Sequence, residues 1–201
     1  MARELDRRTF LRQCTIGACG LGSIIAFGDL VKVHAGSDGQ AVPLAKAIIL
    51  VDKTLCSGCR TCEMACANFN AAGQNSYSHA RILLEKEYVK GDYQPKVCYQ
   101  CAEPACLKAC PEDAIHVDRS SGTFARIIDE EKCIGCEECV RACGKHFRPP
   151  RSRFDPQKEK AFKCHLCFGD PQCVKTCPFG ALKVERSEKG FLVGFPVIKE
   201  D

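Results

Sequence analysis

Apolar residues along this chain fall into short runs separated by polar, glycine-rich or proline-rich breaks. The run at residues 13–28 carries no charge and is rich in Gly, Ala, Ile and Leu. It is too short to span a bilayer comfortably. Residues 45–51 form an apolar strand candidate, and residues 81–88 form another. Residues 114–117 and 124–128 flank Asp118-Arg119-Ser120-Ser121-Gly122, a pattern that predicts a β-hairpin. Residues 181–184 and 191–193 flank a turn ending at Gly190, which predicts a second copy of that hairpin. Residues 144–163 show no strand alternation and carry Pro149 and Pro150, so they read as a loop.

What separates the strand candidates is cysteine. The chain has 201 residues and 18 of them are Cys. That fraction is characteristic of a disulfide scaffold or a metal protein rather than a hydrophobic-core enzyme. Sixteen of the cysteines form four groups of four. Group one is Cys56, Cys59, Cys62 and Cys66; group two is Cys98, Cys101, Cys106 and Cys110. Group three is Cys133, Cys136, Cys139 and Cys143; group four is Cys164, Cys167, Cys173 and Cys177. Groups one and three have the C-x2-C-x2-C-x3-C spacing of bacterial ferredoxins, and groups two and four are stretched variants of it. Gaps of two residues let a tight loop wrap three corners of one cube, while the gap of three turns the fourth thiolate away. Pro111 and Pro178 follow the last ligand of groups two and four; Ala67 and Gly144 stand there in groups one and three. Zinc sites favour two CxxC pairs separated by a longer stretch. A disulfide framework would not repeat such a run four times. The chemistry indicated is four 4Fe–4S clusters.

In two-cluster ferredoxins the fourth thiolate of each group reaches the other cluster. Residues 111–132 look like the hairpin joining the halves of such a unit, which pairs group two with group three and, by elimination, group one with group four. Sequential pairing, one with two and three with four, is the alternative. The first pairing gives four ligand sets: Cys56, Cys59, Cys62 and Cys177; Cys66, Cys164, Cys167 and Cys173; Cys98, Cys101, Cys106 and Cys143; Cys110, Cys133, Cys136 and Cys139. The expected fold is α+β, with two ferredoxin-like modules of short helices, β-hairpins and cluster-binding loops. One module comprises residues 45–97 and 164–201, the other residues 98–143, with a basic linker at 144–163. Lys145, Arg148, Arg151, Arg153, Lys158, Lys160 and Lys163 make that linker basic. It reads as a solvated loop, or else as a docking surface or a local charge that raises a cluster potential. His165 lies inside group four, where it either tunes a cluster or sits at the surface.

The N-terminus reads as an address. Arg7 and Arg8, followed by Phe10 and Leu11, resemble the twin-arginine export signal, and residues 13–28 suit its apolar region. Cleavage after Ala35 would leave residues 36–201 as the mature chain, with no membrane span, and would remove Cys14 and Cys19. The twin-arginine route carries folded, cofactor-loaded proteins, so the signal and the cluster motifs explain each other. The expected location is the periplasm or the outer face of the cytoplasmic membrane.

Charge excludes little except nucleic acid: 29 basic and 25 acidic residues give +4. Each oxidised cluster with its thiolates adds about −2, so the loaded mature chain should lie near −6. No nucleophile–base pair, phosphate loop or dinucleotide motif is present, so no catalytic site is expected.

The four ordered groups resemble the four-cluster iron–sulfur subunits of molybdopterin and tungstopterin oxidoreductases, such as the dimethyl sulfoxide reductase family, over residues 45–185. Residues 62–70 (CEMACANFN) and 98–106 (CYQCAEPAC) look most like subunits that accompany aldehyde:ferredoxin-oxidoreductase-like enzymes. In that family the first group shares clusters with the fourth and the second with the third. The resemblance implies an electron-transfer subunit relaying between a molybdenum or tungsten pterin catalytic subunit and a redox partner or quinone-linked membrane subunit. A freestanding exported polyferredoxin is the alternative.

Overall fold

A computed structural model describes residues 34–35, 41–71 and 76–194. The twin-arginine pair, the apolar run, Cys14 and Cys19 lie outside the described residues. The fold is α+β. Among the described residues, ten short strands pair two by two, and four α-helices lie against the ligand loops. Strands β1 (His34–Ala35) and β2 (Ala41–Val42) pair with each other, and β3 (Ala45–Val51) follows. Helix α1 (Thr61–Asn70) carries the end of group one. Next comes the hairpin of β4 (Leu83–Glu87) and β5 (Asp92–Lys96). Helix α2 (Ala105–Lys108) and the hairpin of β6 (Ile115–Asp118) and β7 (Ala125–Ile128) lead to helix α3 (Glu138–Gly144). A hairpin of β8 (Ser152–Asp155) and β9 (Lys160–Lys163), helix α4 (Gln172–Lys175) and strand β10 (Leu182–Phe191) complete the chain.

The order of elements explains two departures from the sequence pattern. The expected hairpin at residues 181–193 does not form. Residues 182–191 are a single strand whose partner is β3: Leu182 faces Val51 and Val184 faces Ile49. The register breaks between Arg186 and Phe191, where Gly190 has φ +77°. The β6–β7 pair has the same logic, because β6 leaves group two and β7 enters group three. In both pairs, a strand leaving one stretched group meets a strand entering one regular group. The two strands happen to be neighbours in sequence only in the β6–β7 case. The second departure is the basic segment 144–163. It holds the β8–β9 hairpin, with Ser152 opposite Lys163 and Asp155 opposite Lys160. Basic residues at its ladder positions hid the alternation. Asp155 Oδ1 accepts from the backbone N–H groups of Gln157 and Lys158 and shapes the turn. Nor is the segment uniformly solvated: Arg151 and Lys163 are buried.

The core is small and built around thiols. One buried cluster combines Ala47, Ile49, Ile82, Val97, Leu166 and Leu182 with Cys62, Cys66 and Cys173. A second combines Ala114, Ile115 and Ala161 with Cys106, Cys133 and Cys139. Helix α1 packs on α4, and α2 on α3.

Candidate metal centre

The four ligand loops share one backbone device. The residue before the second cysteine of each group is left-handed: Gly58 (φ +75°), Gln100 (+53°), Gly135 (+74°) and Leu166 (+55°). A chain that must coil around a central void, with thiols pointing inward, needs that inversion. Glycine adopts it freely, whereas other residues carry about 1–2 kcal/mol of strain. Gln100 and Leu166 sustain it because both side chains are wholly buried and pinned. In groups one and three a second left-handed residue, Arg60 or Glu137, starts the helix that carries the third and fourth cysteines. In groups two and four Pro104 and Pro171 occupy the N-caps of the four-residue helices that carry Cys106 and Cys173.

The thiols are brought together across the chain. One cavity is lined by Cys56, Cys59, Cys62 and Cys177 and walled by Leu84, Pro95 and Leu182. A second is lined by Cys66, Cys164, Cys167 and Cys173, with Ile49, Ile82 and Val97. A third is lined by Cys110, Cys133, Cys136 and Cys139, with Ile115, Ile128 and Ala161. Of the remaining four, Cys106 lies within electrostatic reach of Cys98 and Cys143, and Arg126 within reach of Cys98, Cys101 and Cys106. None of the sixteen forms a disulfide.

The donor chemistry fits a polynuclear iron cluster. Burial pushes the thiols of Cys62, Cys139 and Cys164 up to about 12, and that of Cys173 higher in the same direction. Buried thiols so poorly disposed to ionise need a cation to displace their protons. Backbone N–H groups already point at sulfur. Arg81 N donates to Cys66 Sγ at 3.1 Å, and Arg151 N to Cys143 Sγ at 3.1 Å. Ala161 N donates to Cys133 Sγ at 3.4 Å. Such donors stabilise charge on cluster sulfurs. Cys59, more exposed, is pulled below the ordinary thiol value by hydrogen bonding from Thr61.

His165 is not at the surface. It is buried, its Nδ1 accepts from Cys167 N at 2.8 Å, and its ring stacks on Phe168 with centroids 4.4 Å apart. Burial pushes its pKa down to about 4, so it is neutral at pH 7. It therefore braces the second ligand of group four. Two residues escaped the sequence reading. Gln100 Nε2 donates to Cys164 O at 2.9 Å, while its Oε1 accepts from Arg126 N at 2.8 Å. Lys163 was visible only as one member of a basic run. The available signal for Gln100 was a large polar residue inside a ligand loop whose ligands are all thiols.

The 4Fe–4S dicluster domain family matches residues 89–187. The chain is 38% identical over 137 residues to the polyferredoxin-like subunit of the aliphatic sulfonate oxidoreductase of Pyrococcus furiosus, covering 64% of this chain and 70% of that one. It is 34% identical over 154 residues to the probable anaerobic dimethyl sulfoxide reductase chain YnfG of Escherichia coli, covering 66% and 70%. It is 32% identical over 160 residues to the formate dehydrogenase-O iron–sulfur subunit of Escherichia coli, covering 66% of this chain but only 51% of that one. Four thiol groups, their inward-coiled loops and these relatives converge: the chain belongs to the family of 4Fe–4S iron–sulfur electron-transfer subunits of oxidoreductases.

Proposed function

We propose that the sixteen thiols hold four clusters in the sets Cys56, Cys59, Cys62, Cys177; Cys66, Cys164, Cys167, Cys173; Cys98, Cys101, Cys106, Cys143; and Cys110, Cys133, Cys136, Cys139. The observation carrying this reading is that three separate cavities are each lined by one of these sets and by no other cysteine. The β3–β10 pair and the α1–α4 contact support joining group one to group four; the β6–β7 pair and the α2–α3 contact support joining group two to group three. A 4Fe–4S cluster, when bound, takes up and releases single electrons. The chain's own part is to space the four cradles, donate hydrogen bonds to sulfur and exclude water. Cys173 lies near Cys62, Cys164 near Cys98, and Cys139 near Cys106. The cradles therefore follow one another in the order given, as a relay requires.

The catalytic partner in this reading is a molybdenum or tungsten pterin subunit, as the sequence resemblance implies; the formate dehydrogenase and dimethyl sulfoxide reductase relatives, each by its name one chain of an oxidoreductase, support a catalytic partner in general. A quinone-linked membrane subunit is a second partner. In this reading, export by the twin-arginine route, through Arg7 and Arg8, delivers the complex to the periplasm or to the outer face of the cytoplasmic membrane. Among the described residues no helix is long and apolar enough to cross a membrane.

Iron and acid-labile sulfide in anaerobically purified protein should approach sixteen of each per chain, and a value far below that rules out four clusters. Cys66→Ser should alter the signal of the cluster held by Cys164, Cys167 and Cys173; a change confined to a group-two cluster would refute the pairing. Replacing Arg7 and Arg8 by lysine should retain the loaded protein in the cytoplasm, and undiminished export excludes the address. Elution of the native protein without a larger subunit would favour the freestanding carrier.

A further inference from the structure

Lys163 closes β9 and immediately precedes the first ligand of group four, yet it is only 2% exposed. A lysine is almost never so deeply buried without a partner of opposite charge. Among the described residues, no carboxylate forms an ion pair with it. Its Nζ donates a hydrogen bond to Arg126 O at 2.7 Å. The negative groups within reach are thiols: Cys98 and Cys106 on one side, Cys164 on the other. These belong to the third and second ligand sets.

The surroundings place the charge deliberately. Gln100 ties Cys164 O to Arg126 N, and Lys163 ties the same residue's carbonyl from the other side. Arg81 Nη1 donates to Lys163 O at 3.0 Å while its backbone N–H donates to Cys66 Sγ. Arg126 is itself buried, beside Cys98, Cys101 and Cys106. Three cations thus surround the two inner cradles: Arg81, paired with Glu130 at 3.9 Å, and the deeply buried Arg126 and Lys163, for which no carboxylate partner occurs among the described residues. The outer cradles differ. Arg60, beside the first, is paired with Glu63, and Arg141, beside the fourth, is paired with Glu138 on the exposed face of α3. Lys160 donates to Cys133 O from a partly exposed position. Exposed or paired cations are screened, whereas buried unpaired ones are not.

Resting on the ligand sets proposed above, we propose that Lys163 is a positioning residue that supplies the shared counter-charge of the second and third clusters and raises their potentials above those of the outer two. A fixed positive charge in a low-dielectric interior favours the state carrying one more electron. The inner pair therefore holds electrons that the outer pair exchanges with partners.

The test uses the full-length, anaerobically purified protein and three variants: Lys163→Met, Lys163→Gln, which retains an N–H donor toward Arg126 O, and Lys163→Arg. Iron content and a paramagnetic-resonance potentiometric titration are recorded for each. Two of the four midpoints should fall in the Met and Gln variants, each by at least a tenfold shift in the oxidised-to-reduced ratio, 59 mV for a one-electron couple. Lys163→Arg should restore them. Serine variants of Cys167 and Cys101 identify which signals are the inner ones. Loss of iron from both neutral variants with full loading of Lys163→Arg also supports the counter-charge. Full loading with four unmoved midpoints, an equal shift of all four, or iron loss in all three variants overturns it. A wild-type iron content far below sixteen instead overturns the ligand sets, before any variant is read.

Discussion

At the scale of single residues, backbone inversion and buried charge govern this protein more than side-chain bulk does. Gly135 has φ +74°, and a Cβ there would run into the carbonyl oxygen of Glu159. That oxygen is a backbone atom, so no side chain can move aside. Gly135→Ala should therefore cost the cluster held by Cys110, Cys133, Cys136 and Cys139, lowering iron by about a quarter, because one ligand set in four is distorted. Gly144, at the end of α3, has only Pro150 Cβ at 3.9 Å before it. Gly144→Ala should leave iron unchanged and stabilise by about 0.5–1 kcal/mol. Iron assay and guanidinium denaturation of the two variants, side by side, check both outcomes. Equal behaviour of the pair would refute the role given to the inverted loop.

At the scale of elements, the β3–β10 pair is the clasp between the first and last groups. Leu182, 2% exposed, sits in the buried cluster and also walls the cavity of Cys56, Cys59, Cys62 and Cys177. Leu182→Ala should cost about 2–5 kcal/mol. In guanidinium it should lose the clusters of groups one and four before those of groups two and three. Simultaneous loss of all four would mean that the molecule unfolds as one unit. The β6–β7 hairpin was legible in sequence because turn residues 118–122 join its strands directly, and Asp118 Oδ1 accepts from Ser120 N at 2.9 Å and Ser120 Oγ at 2.6 Å. The partner of β10 was not legible. Residues 182–184 look like half of a local hairpin, but their pairing surface lies at residues 49–51, on the far side of all four ligand groups. The β8–β9 hairpin was hidden for another reason. Its alternation is built with Arg153, Lys160 and Lys163, whose charges are taken up by buried carbonyls: Arg153 Nη1 on Ala80 O at 2.5 Å, Lys163 Nζ on Arg126 O.

At the scale of the whole molecule, the sign of the net charge depends on the cofactor. The full chain carries +4 before loading. Four loaded sets add about −8, which takes it to about −4. Isoelectric focusing under anaerobic conditions should therefore move the loaded protein to the acidic side of the iron-free chain, and an unchanged position would contradict four anionic sets. The distribution of charge matters as much as its sum. Lys163 and Arg126, both buried, gather around the inner cradles, while the cations beside the first and fourth are paired or partly exposed. Spacing along the chain was enough for the cofactor class, the family and the candidate ligands, because chelation by a short loop depends on spacing within fewer than about fifteen residues. Only the tertiary structure decided which strands close the two halves, that the basic segment turns inward, and that Gln100 and Lys163 join neighbouring cradles. Those outcomes depend on contacts between residues far apart in the chain, and on burial that lets an ammonium group sit where thiolates compensate it. Neither leaves a local trace in the order of residues.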